Sequence, residues 1–238
     1  MTLNEQLENN NRDLLAVFAA GTFGAIPYAG SLIAELVKYI IPNQRIDRIS
    51  KYVKELDERL SKIPIEKINV LLDNENFLDL IEEGFVQASR AISDERREYI
   101  ANIVANGIQD ETLQLQESKH LLKIIQDIND IEIVWLNFYY LRESDNSKLR
   151  ESNNSNEFYE KHKKVLEVVK ASYNNNHESL PQASIQISYH RHLIQHNLIE
   201  INDLQGKRGT DIDITYIKGW SKPTIFGRLL LKQIGLID

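Results

Sequence analysis

Three of the six histidines, His190, His192 and His196, fall in one stretch of helical spacing. Imidazole is the side chain most readily used to bind metals or move protons near neutral pH. His192 and His196 stand four apart, the spacing that puts two imidazoles on one face of a helix for zinc. A hydrolytic His-Glu-x-x-His helix carries a glutamate directly after its first histidine, whereas Leu193 sits there, and His190 projects from a different face. Hydrogen-bonded or solvated histidines are therefore the expectation, with no metal and no cofactor. Glu117-Ser118-Lys119 has the Glu-x-Lys spacing of many nucleases, but it falls at a helix start and lacks an organised acidic partner. Gly206-Lys207-Arg208-Gly209-Thr210 lacks the remainder of a phosphate loop and precedes no helix. Gly21-Thr22-Phe23-Gly24 lacks the spacing of a dinucleotide fingerprint. No catalytic residue is assigned, and a non-enzymatic protein is expected.

Composition narrows the classes further. A hydrophobic content of 42% with 26% charged residues is ordinary for a globular chain and argues against global disorder. The absence of cysteine excludes thiolate catalysis, cysteine-ligated zinc and disulfides, so a reducing cytoplasm is the expected location. Glu5, Glu8 and Asp13 against Arg12 are the wrong sign for the basic start of a secretory signal, and export by that route is not expected. A net charge of -7 argues against broad coating of nucleic acid, which needs a concentrated cationic surface.

The elements that must position any site read as mainly α. Residues 14–34 carry no charge, yet Gly21, Gly24, Pro27 and Gly30 interrupt them, which predicts an apolar helical hairpin rather than one spanning helix. Leu15, Phe18, Phe23, Ile26, Leu32 and Ile33 are its candidate core, membrane-contacting or partner-contacting residues. After Pro42, Ile46, Ile49, Val53, Leu56, Leu60 and Ile63 form a heptad-like seam. Opposite charges four apart, including Lys51 with Glu55 and Glu55 with Arg59, occupy its outer faces. A helix following Asp73 or Asn74 presents Phe77, Leu80, Ile81, Phe85, Ala88 and Ile92. The next is capped by Ser93 and stops at Asn106 and Gly107. These elements predict a helical bundle over 1–112.

A second domain over 113–238 is expected to be winged-helix-like. Leu121, Ile124, Ile125 and Ile128, then Ile131, Val134, Trp135, Phe138 and Leu141, mark two core helices. The Ser/Asn-rich run near 143–157 predicts a mobile loop, and a further helix runs through Val165, Leu166, Val168 and Val169. A helix through Ile185, Tyr189 and Leu193 ends near Asn197. One β-hairpin then joins 198–201 to 212–217, and a last helix starts around Ser221 with Pro223 in its first turn.

Residues 93–107, Ser-Asp-Glu-Arg-Arg-Glu-Tyr-Ile-Ala-Asn-Ile-Val-Ala-Asn-Gly, and the Gly-rich run before Pro42-Asn-Gln-Arg45 carry a resemblance. The chain resembles uncharacterised bacterial proteins that join an apolar-headed helical bundle to a winged-helix-like tail, some of them in stress or phage-defence settings. The resemblance implies a bacterial intracellular protein and transfers no site. The leading expectation is a protein-interaction module whose apolar hairpin can act at the inner face of the cell membrane, with a protein partner. The alternative is a winged-helix transcriptional regulator in which Gln182, Gln186, Arg191 and Gln195 contact DNA and Lys207 and Arg208 contact phosphates from the wing. Over 178–238, seven basic residues face six acidic ones, which weakens the DNA reading.

Overall fold

The computed structural model describes residues 46–71, 74–109, 115–147, 154–169, 177–201 and 221–238. Among these are ten α-helices and one two-stranded antiparallel sheet, so the chain is mainly helical, as the hydrophobic spacing predicts. The apolar segment 14–34 and the stretch 202–220, with its predicted strand 212–217, lie outside the described residues. The chain divides into two units, residues 1–126 with 233–235 and residues 127–232 with 236–238.

In the first unit the heptad-like seam forms α1 (Ile46–Leu60), and Ile49, Val53, Leu56 and Leu60 are all buried, joined by Tyr52 and, beyond the helix, by Ile63. A short helix not anticipated from the sequence, α2 (Ile65–Leu71), follows Pro64. Pro64 accepts the first-turn hydrogen bonds at its carbonyl, where its missing N–H costs nothing. Helix α3 (Glu75–Arg90) starts at Asn74, whose side chain accepts from the Asn76 N–H at 2.9 Å, and buries Phe77, Leu80, Ile81, Phe85 and Ala88. Ile92 was expected on this face but is exposed, because the backbone turns extended at Ala91 and leaves the helical period.

Ser93 accepts from the Arg96 N–H at 3.1 Å and caps α4 (Asp94–Gln109), as expected. Asn106 and Gly107 do not stop this helix. Gly107 is buried within it and faces Ser118 of α5 (Leu115–Asp127), where a Cβ would lie 2.7 Å from the serine Cβ. Glycine here permits close helix approach rather than a helix end. Helices α1, α3 and α4 pack on one another around Tyr52 and Phe85, whose rings meet edge to face at 5.2 Å. On the rim, Arg59 donates to Glu55 Oε2 at 2.8 Å, as its spacing predicts. Lys51 pairs across to Asp94 at 3.1 Å.

The second unit is built on α6 (Asp130–Ser147), which buries Ile133, Trp135, Leu136, Phe138 and Tyr139, while Ile131, Val134 and Leu141 are only half-buried. The predicted Ser/Asn-rich loop is helical at both ends. Helix α6 runs on to Ser147 and α7 (Asn154–Lys161) begins four residues inside the predicted stretch. Tertiary bonds override the weak helix preference of Ser and Asn there: Glu143 pairs with Arg228 at 2.5 Å, and Asp145 Oδ2 accepts the Ser155 N–H at 2.8 Å. Helix α8 (Lys163–Leu166) ends before Val168, with extended backbone at Glu167.

A 3-10 turn (His177–Ser179) leads into α9 (Leu180–Gln195). The end of α9 is set by Asn197, the one described non-glycine residue in the left-handed region, at φ 55°. Its N–H bonds Ile194 O at 2.9 Å, and the Leu198 N–H bonds Leu193 O at 2.9 Å. This is the Schellman pattern, with the buried Leu193 and Leu198 at its two ends. Strand β1 (Ile199–Ile201) then pairs with β2 (Ser221–Pro223), Ile199 opposite Pro223 and Ile201 opposite Ser221. The last helix was expected to start at Ser221 with Pro223 inside it. Instead Pro223 lies in β2, which tolerates the missing donor because the described sheet has only two strands. Thr224 Oγ1 accepts the Gly227 N–H at 2.9 Å and caps α10 (Ile225–Gln233).

Candidate functional site

The titratable groups that the second unit draws together lie where α9 meets the start of α6. Asn129 and Glu132 form a reciprocal capping box. Asn129 Oδ1 accepts the Glu132 N–H at 3.0 Å, and Glu132 Oε2 accepts the Asn129 N–H at 2.7 Å. This box fixes a carboxylate that is only 2% exposed. Its other oxygen, Oε1, lies 2.8 Å from His192 Nδ1, sixty residues further along the chain. The carboxylate holds the Nδ1 proton, so the His192 Nε2 lone pair points outward. It meets His196 Nε2 at 3.0 Å, with ring centres 4.6 Å apart and planes at 78°. The result is a chain of carboxylate, imidazole and imidazole running from a buried acid to the half-exposed His196, able to hold a proton or a cation between its two Nε2 atoms.

His190 projects to another side of α9, as its spacing predicts, and is fully buried. Its Nδ1 lies 2.7 Å from Gln186 O and its Nε2 accepts from the Tyr139 hydroxyl. The ring stacks edge-on to Trp135 at 4.6 Å. Burial raises the Tyr139 hydroxyl well above the usual phenol value, against the opposing influence of Ser221 and the Arg142 guanidinium, so it acts as a neutral donor. Arg142 lies 5.2 Å from the Tyr139 ring centre and donates to Ser221 O at 2.6 Å. Its guanidinium is shifted down by the same burial.

The four α9 residues assigned to DNA contact do not share a face. At 100° per residue, Gln182 and Gln186 lie on nearly the opposite side of the helix from Arg191 and Gln195. Gln186 accepts the Val169 N–H at 3.0 Å and donates to Glu167 O at 2.8 Å, fastening the segment after α8. Gln182, Arg191 and Gln195 are exposed. Lys207 and Arg208 lie outside the described residues, as do Leu15, Phe18, Phe23, Ile26, Leu32 and Ile33. Lys119 of the Glu-x-Lys stretch pairs with Asp79, and Ser118 between them is buried.

Among the described residues no group of three His, Cys, Asp or Glu side chains is gathered as a metal cage. No described helix is long and apolar enough to cross a membrane. Sequence reasoning passed over Glu132. The Asn129-x-x-Glu132 capping signature was legible, whereas its reach to His192 depends on tertiary packing. Comparison with protein-family models, with curated proteins and with solved structures finds no match for this chain.

Proposed function

We propose that the chain is a non-enzymatic protein-interaction module that uses the outward side of α9. The character of that side carries the reading. Ala183, His190 and Leu193 turn inward, while Ile185, Ser188, Arg191 and Gln195 stay exposed with one cation among them. Mixed apolar and polar chemistry of low charge suits a protein surface better than a phosphate backbone. Of the cations near it in sequence, Lys222 pairs with Glu200 at 2.9 Å and Arg228 with Glu143, which lowers the charge left for phosphates.

A winged-helix DNA-binding regulator is the second reading. The order α9, β1, β2, α10 favours it, since a helix, an antiparallel strand pair and a closing helix make up the end of such a domain. The two readings part on salt. We expect proteins retained by immobilised wild-type chain in 0.5 M salt, on the order of the ionic strength that screens surface charge, to be lost with Ile185→Arg while helicity stays unchanged. DNA retention that falls steeply with salt, and that weakens across sequences in a Lys207→Ala, Arg208→Ala double variant, would replace this reading with the regulator.

A further inference from the structure

We infer that His192 and His196 form a two-imidazole site for a divalent transition metal of the copper or nickel class, with Glu132 as the orienting carboxylate behind it. Imidazole–metal bonds are about 2.0–2.1 Å long, so two nitrogens 3.0 Å apart subtend about 90° at a shared ion. That is the angle between neighbouring positions of a tetragonal site, and it is narrower than the roughly 109° of tetrahedral zinc. The ring centres give an independent check. Two imidazoles joined by a straight N–H···N bond would hold their centres about 5.3 Å apart. Here they are 4.6 Å apart, which fits two nitrogens aimed at one point about 2 Å beyond each.

The surroundings match what such a ligand pair requires. A metal-binding histidine donates its other N–H to a carboxylate, and His192 Nδ1 sits 2.8 Å from Glu132 Oε1. The capping box holds that carboxylate still from the opposite side. His192 is 34% exposed at its side chain, so an ion can reach the pair from solvent and keep water in its remaining positions. On binding, both Nε2 atoms serve as lone-pair donors. The proton that His196 Nε2 shares with His192 Nε2 passes to solvent while His196 takes one up at Nδ1, so both rings bind as neutral imidazoles. A hydrolytic zinc helix carries its glutamate directly after the first histidine, where this chain has Leu193. A carboxylate is supplied instead from α6, behind the histidine and not beside the metal.

The test is calorimetric titration of the full chain with copper(II) alone, together with electron paramagnetic resonance of the bound ion. We expect one tight equivalent whose spectrum shows coupling to two imidazole nitrogens. His196→Gln should weaken binding at least about tenfold and remove one nitrogen, and Glu132→Gln should weaken it about 10–100-fold with both nitrogens kept. Circular dichroism melts establish that each variant is folded. Should Glu132→Gln fail to fold, the half-exposed His196→Gln and His192→Gln carry the test. Copper held by His196→Gln with wild-type affinity, or a two-nitrogen spectrum that survives His192→Gln, would overturn the inference and leave a simple histidine–histidine hydrogen bond.

Discussion

Tyr139 shows how much one buried polar atom can settle. Its ring lies among those of Trp135, Phe138 and His190, and its hydroxyl donates to His190 Nε2, which fixes both the tautomer and the tilt of the imidazole. Tyr139→Phe keeps the ring and removes only that bond, so a loss of about 1–2 kcal/mol in urea unfolding is expected. A change below a few tenths would show the bond to be dispensable. Asp94 acts at the surface and through pH. Hydrogen bonds from Arg97 and then Lys51 hold its carboxyl below the ordinary value of 3.8. The unfolded chain therefore takes up this proton more readily than the folded one. The stabilisation is present above pH 3.8 and is lost as pH falls through the acid range. Melting temperatures of wild type and Asp94→Asn should converge toward pH 2, roughly where carboxylates are fully protonated, and a gap that stays constant from neutral pH downward would refute the assignment.

At the scale of elements, the turn after α9 and the start of α10 are one device. Asn197 in the left-handed region reverses the chain, the Leu198 carbonyl accepts the Thr224 N–H at 3.0 Å, and Thr224 caps the helix that packs back on Leu198. Gly227 lies so close to that carbonyl that a Cβ would collide with its oxygen. Because the obstacle is backbone and cannot rotate away, Gly227→Ala should cost about 1–3 kcal/mol in thermal or urea melts despite alanine's better helix propensity. Asn197→Ala should cost about 1–2 kcal/mol by forcing an ordinary side chain into the left-handed region, whereas Asn197→Gly should be near neutral. Equal losses for the two Asn197 variants would point to the amide rather than the backbone angle.

For the whole molecule, the telling feature is that residues 233–235 belong to the first unit although the helix leading to them belongs to the second. Asn102 Nδ2 donates to Ile234 O at 2.8 Å and Asn106 Nδ2 to Gln233 O at 3.1 Å. Gly235, at φ 79°, sits where a Cβ would meet the Asn102 amide at 2.6 Å. Asn102 also accepts from Arg59 Nε, so the terminal turn is tied to α1 and α4 together. Truncation after Lys232 should lower the stability of the first unit by about 1–3 kcal/mol, through two lost hydrogen bonds and the loss of the buried Ile234 side chain. Amide hydrogen exchange along α4 is the measurement, and unchanged protection at 100–108 would show the tie to be decorative.

The mainly helical class, the α1 seam, the Asn74 and Ser93 caps, the end of α9 near Asn197 and the separate face of His190 were all determined by the sequence. Each depends on local geometry: a 3.6-residue period, a side chain bonding its own first turn, or a residue that tolerates the left-handed region. Tertiary structure decided the rest. Gly107 reads as a helix stop until Ser118 lies against it, Pro223 reads as a first helical turn until β1 pairs with it, and 143–147 reads as loop until Arg228 reaches Glu143. Glu132 and His192 are sixty positions apart. A single chain records which residues can accept, donate or pack, but not which distant ones will meet, because that choice is made by burial of the whole core and not by any local run of residues.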